Sequence, residues 1–219
     1  MRTSSAIFIA CCALALPVLA QQQGFKFSNP SEDEKAQAQA KSNWVITTDM
    51  LLATPCGQRL KNRKIMVLIG EEKNGIVLAP QGSYSRHVDA INSRLKMLGL
   101  KTYSPEEIRR QVAQEEVDAY FKNDPDRALS ASKRLAAQYV LKGVIATQAF
   151  RNPTIGVNQV NVSMDFTLAD AAGKPVSMIH VTNASYSGAD VSGMAYKLID
   201  ERAEDVVAHL YADYCSTTR

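Results

Sequence analysis

The sequence predicts an α/β (α+β) fold with a mixed sheet of about five strands, packed by roughly three to four helices. Residues 64–70 form a continuous apolar run, which is typical of a strand covered on both faces. Residues 160–169 alternate apolar and polar side chains, which indicates an antiparallel strand with one wet face. Residues 191–214 carry an apolar stripe at helical spacing, which predicts a long C-terminal helix.

The segment before the first strand has two parts. Residues 21–43 are polar and rich in Gln, Ala and Lys, so we expect a tether that is disordered or weakly helical. Trp44–Leu52 is apolar enough to dock on the domain, and Pro55 lies just beyond it. The sequence therefore predicts one α/β domain over residues 44–219.

Start and stop signals place three helices between the first strand and the next long one. Apolar residues at helical spacing over 88–98 predict a helix that stops at Gly99, and residues 100–103 are a short strand candidate. Ser104 and Pro105 open a second helix, which we expect to continue to residue 122. A third helix begins at Pro125 and extends through residue 137.

The C-terminal half contains a run of strands before the last helix. Residues 139–150 predict a long strand, and residues 176–186 predict another after the turn at 170–173. The predicted order is β-α-β-α-α-β-β-β-α, with an antiparallel meander in the C-terminal half.

Residues 1–20 have the parts of a secretory signal peptide. Arg2 supplies a positive start, Ala6–Ala20 is apolar, and cleavage is expected after Ala20. The apolar run of about 15 residues is short of the roughly 20 needed to span a bilayer, although an uncleaved anchor stays an alternative. Lipidation at Cys11 or Cys12 is a second alternative that fits the preceding residues poorly. We therefore expect a periplasmic protein.

Cleavage would remove two of the four cysteines and leave Cys56 and Cys215. An even pair in an oxidising compartment is usually bonded, so we predict a disulfide that joins the two ends of the domain. The alternative, a reactive thiol pair, lacks the Cys-x-x-Cys spacing of redox enzymes.

Charge and histidine spacing narrow the classes of function. The net charge of +3 gives no reason to expect a nucleic-acid partner. His87, His180 and His209 lie outside any metal-binding motif, and no nucleophile pattern accompanies them. We therefore expect no catalytic residue, no metal and no cofactor, and a protein that is not an enzyme.

Two groups of residues are candidates for binding. Gly82, Ser83 and Arg86 enter a helix after the first strand, where backbone amides could hold an anion, as at any helix start. The polar residues of the alternating strand form a wet face that could contact a partner: Asn161, Ser163, Asp165 and Thr167.

Four stretches resemble a known family: Lys64–Ile69, His87–Lys101, Ala136–Ile145 and Val160–Val176. Together they span about residues 60–215 and look like the α/β module of the curli-secretion (CsgG-type) family. Relatives of that family include the N-terminal domain of TolB, the middle domain of flagellar assembly protein T, and lipoprotein activators of peptidoglycan synthases.

The resemblance implies a binding or assembly module rather than an enzyme. We therefore expect a non-enzymatic periplasmic module that binds another envelope protein in the assembly or regulation of a secretion, flagellar or cell-wall system. Peripheral association with the outer membrane and homo-oligomerisation stay open. The alternative is a periplasmic small-molecule or anion-binding protein.

Overall fold

The computed structural model describes residues 32–80, 82–83, 85–122, 124–154 and 156–217. The predicted signal peptide, its cleavage point and the alternative lipidation cysteines lie outside these residues. Residues Ala40–Arg219 form one compact unit, which contains the whole sheet.

The described residues form seven helices and six strands. The helices are α1 (Glu32–Leu52), α2 (Gly57–Leu60), α3 (Ser85–Met97), α4 (Pro105–Gln111), α5 (Gln114–Phe121), α6 (Pro125–Leu135) and α7 (Val191–Thr217). The strands are β1 (Lys64–Lys73), β2 (Ile76–Leu78), β3 (Lys101–Thr102), β4 (Tyr139–Arg151), β5 (Asn158–Asp170) and β6 (Pro175–Ser187).

All six strands belong to one mixed sheet with the order β2-β1-β4-β5-β6, and β3 pairs with the start of β1. Strand β1 is parallel to β3 and β4, whereas β4, β5 and β6 form an antiparallel meander. The predicted fold class and the C-terminal meander are therefore confirmed.

Helices cover the two faces of the sheet unequally. Helices α3 and α7 pack on one face along its width, where Ile91, Ile199 and Val206 meet the inward side chains of β1, β4 and β5. Helices α4 to α6 cover the opposite face only at β1 and the beginning of β4, through residues such as Ile108 and Leu135. The meander therefore has one buried face and one face without a helix from the described residues.

The sheet has one strand more than the sequence analysis predicted. Lys73 and Ile76 pair across a two-residue turn, and Asn74 and Gly75 both have positive φ angles of 53° and 77°. Asn-Gly is the preferred pair for this type of hairpin turn, because both residues tolerate that backbone conformation. The short β2 lies on the edge of the sheet as a result.

The single helix predicted over residues 104–122 is wrong, because the chain breaks it into α4 and α5. Ser104 and Glu107 form the expected capping box at the start of α4. Val112 then adopts an extended conformation and is buried in the core of this layer. The Ala113 N–H donates to the Glu116 carboxylate at 3.0 Å, which begins a new helix.

Helix α1 continues from Glu32 to Leu52, so the described part of the predicted tether is helical. Within the compact unit, the guanidinium of Arg202 lies 4.1 Å from the centre of the Trp44 ring. Thr48 Oγ1 donates to the buried carboxylate of Asp205 at 3.3 Å. Trp44 and Thr48 therefore hold the segment Trp44–Leu52 against α7, whereas its aliphatic residues Val45, Ile46 and Met50 are at least half exposed, so the contact does not depend on the apolar composition that led us to expect docking. Across the described residues, no helix combines the length and hydropathy needed to cross a membrane.

Candidate functional site

The uncovered side of the β4-β5-β6 meander, which we call the open face, is the candidate site. Strand register aligns its side chains in five rows across three strands. The rows are Lys142, Thr167 and Met178; Val144, Asp165 and His180; Ala146, Ser163 and Thr182; Gln148, Asn161 and Ala184; Phe150, Gln159 and Tyr186.

The four residues predicted for partner contact all lie on this face, along its central strand. Asn161, Ser163, Asp165 and Thr167 alternate with residues of β5 that are buried beneath α7. The pleat of the strand sends alternate side chains to opposite faces, so burial of one set places the other outward. The structure thus brings the four together in one line.

The open face is polar at its centre and apolar at its ends. His180 Nδ1 lies 2.7 Å from Asp165 Oδ1, and both side chains are exposed. Met178 is 73% exposed at one end, while Phe150 and Tyr186 are 47% and 51% exposed at the other. Met and the aromatic residues are enriched at protein interfaces, so the composition suits recognition of another protein.

A groove borders the open face where the second helical layer ends. It has a volume of about 380 Å³ and is lined by residues of α5, α6 and the meander, among them Tyr120, Leu129 and Pro175. Lys142 Nζ donates to the Tyr120 carbonyl at 3.3 Å and so links the helix to the sheet at this border. The groove therefore extends the open face toward the helices.

The predicted helix start lies elsewhere, at the carboxyl ends of the parallel strands β1 and β4. Ser83 lines a cleft of about 440 Å³ together with Glu71, His87, Thr147 and Ser192. Crevices at the carboxyl ends of parallel strands are common ligand sites in α/β proteins. Lys73 also lines the cleft, and its Nζ lies 3.0 Å from Glu71 Oε2, so the two charges largely offset each other.

The other two residues of the predicted anion site have different surroundings. The guanidinium of Arg86 stacks 3.9 Å from the centre of the Tyr196 ring. The backbone of Gly82 lies against the guanidinium of Arg109, which pairs with Glu106 at 3.1 Å. Burial lowers the pKa of His87 below its usual 6.5, so the imidazole in the cleft is held toward its neutral form.

Cys56 and Cys215 are joined by a disulfide, with a Cα–Cα distance of 5.7 Å and a sequence separation of 159. Both cysteines are buried. The hydroxyl of Tyr211 donates to the Thr54 carbonyl and accepts from the Cys56 N–H at 3.0 Å. The bond and these contacts fasten the start of α2 to the end of α7.

Among residues 32–80, 82–83, 85–122, 124–154 and 156–217, His, Cys, Asp and Glu form no cluster of three or more that could hold a metal ion. The sequence analysis did not predict that exposed apolar residues lie on the same face as the polar residues of β5. Phe150 and Tyr186 come at the ends of strands β4 and β6, and their proximity depends on the register of three strands. The inward positions of β6 include Ser177 and Asn183, so its apolar alternation is weak.

The fold defines the protein as an α/β domain with one sheet face left open by the described helices. The sequence matches no protein-family profile. It matches no curated protein. Several solved structures resemble it.

A single-residue variant of PelC from Paraburkholderia phytofirmans, described as a dodecamer, has 19% identity and a TM-score of 0.41, covering 67% of this chain and 88% of its own. The minor lipoprotein from Acinetobacter baumannii has 12% identity and a TM-score of 0.40, covering 68% and 93%. A lipoprotein from Neisseria meningitidis has 15% identity and a TM-score of 0.38, covering 66% and 98%.

The structures that resemble this chain therefore include bacterial lipoproteins. At these identities and TM-scores the likenesses assign no function to it. The finer resemblance to the curli-secretion family and to TolB stays a prediction.

Proposed function

We propose that this chain is a non-enzymatic periplasmic module that binds another envelope protein through the open face. The observation that carries the proposal is a three-stranded sheet face without helical cover from the described residues, with exposed Met178, Phe150 and Tyr186 at its ends. Such apolar groups beside polar ones are typical of surfaces that another protein covers.

The dimensions of the open face suit a docking surface. Eight residue steps along the strands and three strands across give about 27 Å by 14 Å, or roughly 400 Å². This area approaches half of the roughly 800 Å² that each partner buries in a standard interface. The bordering groove adds surface on the helical side, so a partner could contact both.

The polar centre supports recognition rather than chemistry. The side chains of Asp165 and His180 pair on the solvent-exposed surface. Water screens this interaction, so the pair contributes little to the stability of the fold. In an interface, the same groups and the neighbouring Ser163 could hydrogen-bond to a partner and exclude partners that leave them unsatisfied. The periplasmic location is supported by the Cys56–Cys215 bond, since such bonds persist in oxidising compartments.

The test compares two variants that each place a carboxylate at an exposed apolar position. We expect Phe150→Asp, on the open face, to lower partner recovery from crosslinked envelopes at least about tenfold, because aromatic anchors carry much of an interface's energy. Met97→Asp, on α3, should leave recovery unchanged. Quantitative mass spectrometry after affinity capture at native expression gives the readout.

Recovery of no dominant partner with the unmodified chain would count against the proposal. Equal losses in Phe150→Asp and Met97→Asp would also count against it, because the open face would then have no special role. Circular dichroism of both variants checks that each remains folded.

The second candidate function is binding of a small anion, and the cleft beside Ser83 favours it because α7 contributes Ser192 to the same space. If inorganic phosphate or sulfate binds there, saturation at about 100 times Kd should stabilise the native state by about 2.7 kcal/mol and raise the Tm. Ser83→Ala with Ser192→Ala should reduce that shift. Equal shifts in the variant and the parent chain would exclude the cleft as the site.

A further inference from the structure

Strand β6 is the last strand of the sheet, and no strand of the described residues pairs with its outer edge. It is 13 residues long, whereas exposed edges in natural proteins are usually short or protected by charges, prolines or bulges. Residues 175–187 contain no Lys, Arg, Asp or Glu, and their one proline is the first residue. The one irregularity in the pairing of β6 with β5 also lies at the start of the strand, between Pro175 and Ser177, so residues 177–187 have none of these protections. We propose that this edge pairs with the same edge of a second copy of the chain.

The inner face of β6 is anchored to α7, while no strand of the described residues covers its edge. Asn183 Nδ2 donates to Leu198 O at 3.1 Å and to Glu201 at 3.3 Å, and Ser177 donates to Asp213. These contacts hold α7 beneath the strand. The carboxylates of Glu201 and Asp213 both accept hydrogen bonds from β6. The backbone groups that point away from β5 have no strand partner within the described residues. One of them, the Ala184 N–H, donates to Asn183 Oδ1 at 3.0 Å and would exchange that acceptor for a carbonyl of the second copy.

The opposite edge of the sheet excludes a chain of copies joined head to tail. That edge consists of β2 and β3, with three and two residues. Neither can match the length of β6, so pairing of β6 with the far edge of the next copy would leave most of its backbone groups unpaired. Pairing β6 with itself about a two-fold axis closes the assembly at two copies.

One register of this pairing aligns the whole regular part of the strand with its copy. An irregularity opposite Leu168 and Ala169 separates the start of β6 from its regular part, residues 177–187. An antiparallel pair centred on Thr182 aligns all of those residues, with residue 177 of each copy opposite 187 of the other. The two copies then present the same face on the same side, as the pleat requires.

The side chains also fit this register. Met178 and Tyr186, both more than half exposed, lie four residues on either side of Thr182. Each would therefore meet the other across the axis, and an aromatic side chain opposite an apolar one stabilises a strand pair. His180 would face Ala184, so no two charged groups oppose each other. A register centred on His180 would instead place two histidines together.

The dimer would enlarge the surface described above. Two open faces joined through β6 give a continuous six-stranded face of roughly 800 Å², the area that one partner buries in a standard interface. The dimer does not depend on the proposed function, because the purified chain alone tests it.

The test introduces a cysteine at the axis and a matched one beside it. Opposing Cα atoms in an antiparallel pair are about 4.5–5.5 Å apart, within the range for a disulfide. We expect Thr182→Cys in the purified mature chain to give a covalent dimer on mild oxidation. In Ala184→Cys the two cysteines would be about 14 Å apart, so this exposed neighbour on the same face should not crosslink.

A second pair of cysteines fixes the register. Met178→Cys mixed with Tyr186→Cys should crosslink, whereas neither should crosslink alone. In analytical ultracentrifugation, Thr182→Lys should raise the dissociation constant of the dimer at least tenfold above that of the wild type. Thr167→Lys, one strand from the edge, should leave it unchanged. Three results would each overturn the proposal. They are equal crosslinking at positions 182 and 184, a folded Thr182→Cys protein that forms no dimer, and a wild-type chain that stays monomeric at high micromolar concentration.

Discussion

Removal of the disulfide, as Cys56→Ala with Cys215→Ala, is expected to lower the free energy of unfolding by up to about 4–5 kcal/mol. The bond closes a loop across a sequence separation of 159. Without the bond the unfolded chain gains conformational entropy, and the loss of unfolding free energy is larger for a longer loop. Domains are stable by only about 5–15 kcal/mol, so the variant should be marginal. Urea unfolding followed by circular dichroism measures the change.

Two controls separate the bond from its surroundings. Reducing agent should destabilise the wild type and leave the double variant unaffected. Tyr211→Phe keeps the bond but removes the hydroxyl that contacts Thr54 and Cys56, and it should cost only about 1–2 kcal/mol. A double variant within about 1 kcal/mol of wild type would contradict a stabilising role of the bond.

Phe166→Ala is expected to cost about 3–5 kcal/mol, near the upper end for core substitutions. Phe166 is 1% exposed, and strand register places it directly opposite Gly143, which in turn lies opposite Ile69. The Phe166 ring and Ile69 occupy the space that a side chain at 143 would take. Because glycine has no atoms to move into the vacated volume, the cavity should persist.

The same substitution at Phe150 provides the control. Phe150 is 47% exposed on the neighbouring strand, so Phe150→Ala should change stability by about 0.5 kcal/mol or less. Gly143→Ala should be destabilising alone, by about 1–3 kcal/mol, and should be partly rescued by Phe166→Leu, since the two sites share one volume. Equal unfolding free energies for Phe166→Ala and Phe150→Ala would refute this packing.

The meander and the last helix could be predicted because their periodicity reflects one buried face. The apolar residues of β5, from Val160 to Leu168, pack in the core beneath α7. Their alternation with polar residues therefore follows directly from the burial of one face of the strand. Gly143 lies in the middle of β4 and pairs with Phe166 of β5. The structure gives that glycine a physical role, because Phe166 packs over it.

Other features depend on contacts that local sequence does not encode. The break between α4 and α5 follows from burial of Val112 in the second core layer. Arg86 stacks on Tyr196, which is distant in sequence. The residues next to Arg86 in sequence therefore could not show that its guanidinium contacts an aromatic ring. Asn74-Gly75 did carry a local hairpin signal, although β2 is too short to show periodicity.

The open face itself was half predictable. Its polar central strand follows from alternation, whereas Phe150 and Tyr186 are brought to its end only by the register of β4, β5 and β6. A sequence fixes register through the burial of the opposite face, and that requires all three strands to be aligned at once.

Site-specific photocrosslinking in the envelope tests the central claim most directly. A photoreactive amino acid at Ser163, in the middle of the open face, should yield one dominant adduct with another envelope protein. The same group at Ser93, an exposed serine of α3, should yield none of that adduct. An adduct of equal strength from Ser93, or none from Ser163 in a folded and exported protein, would contradict binding through the open face.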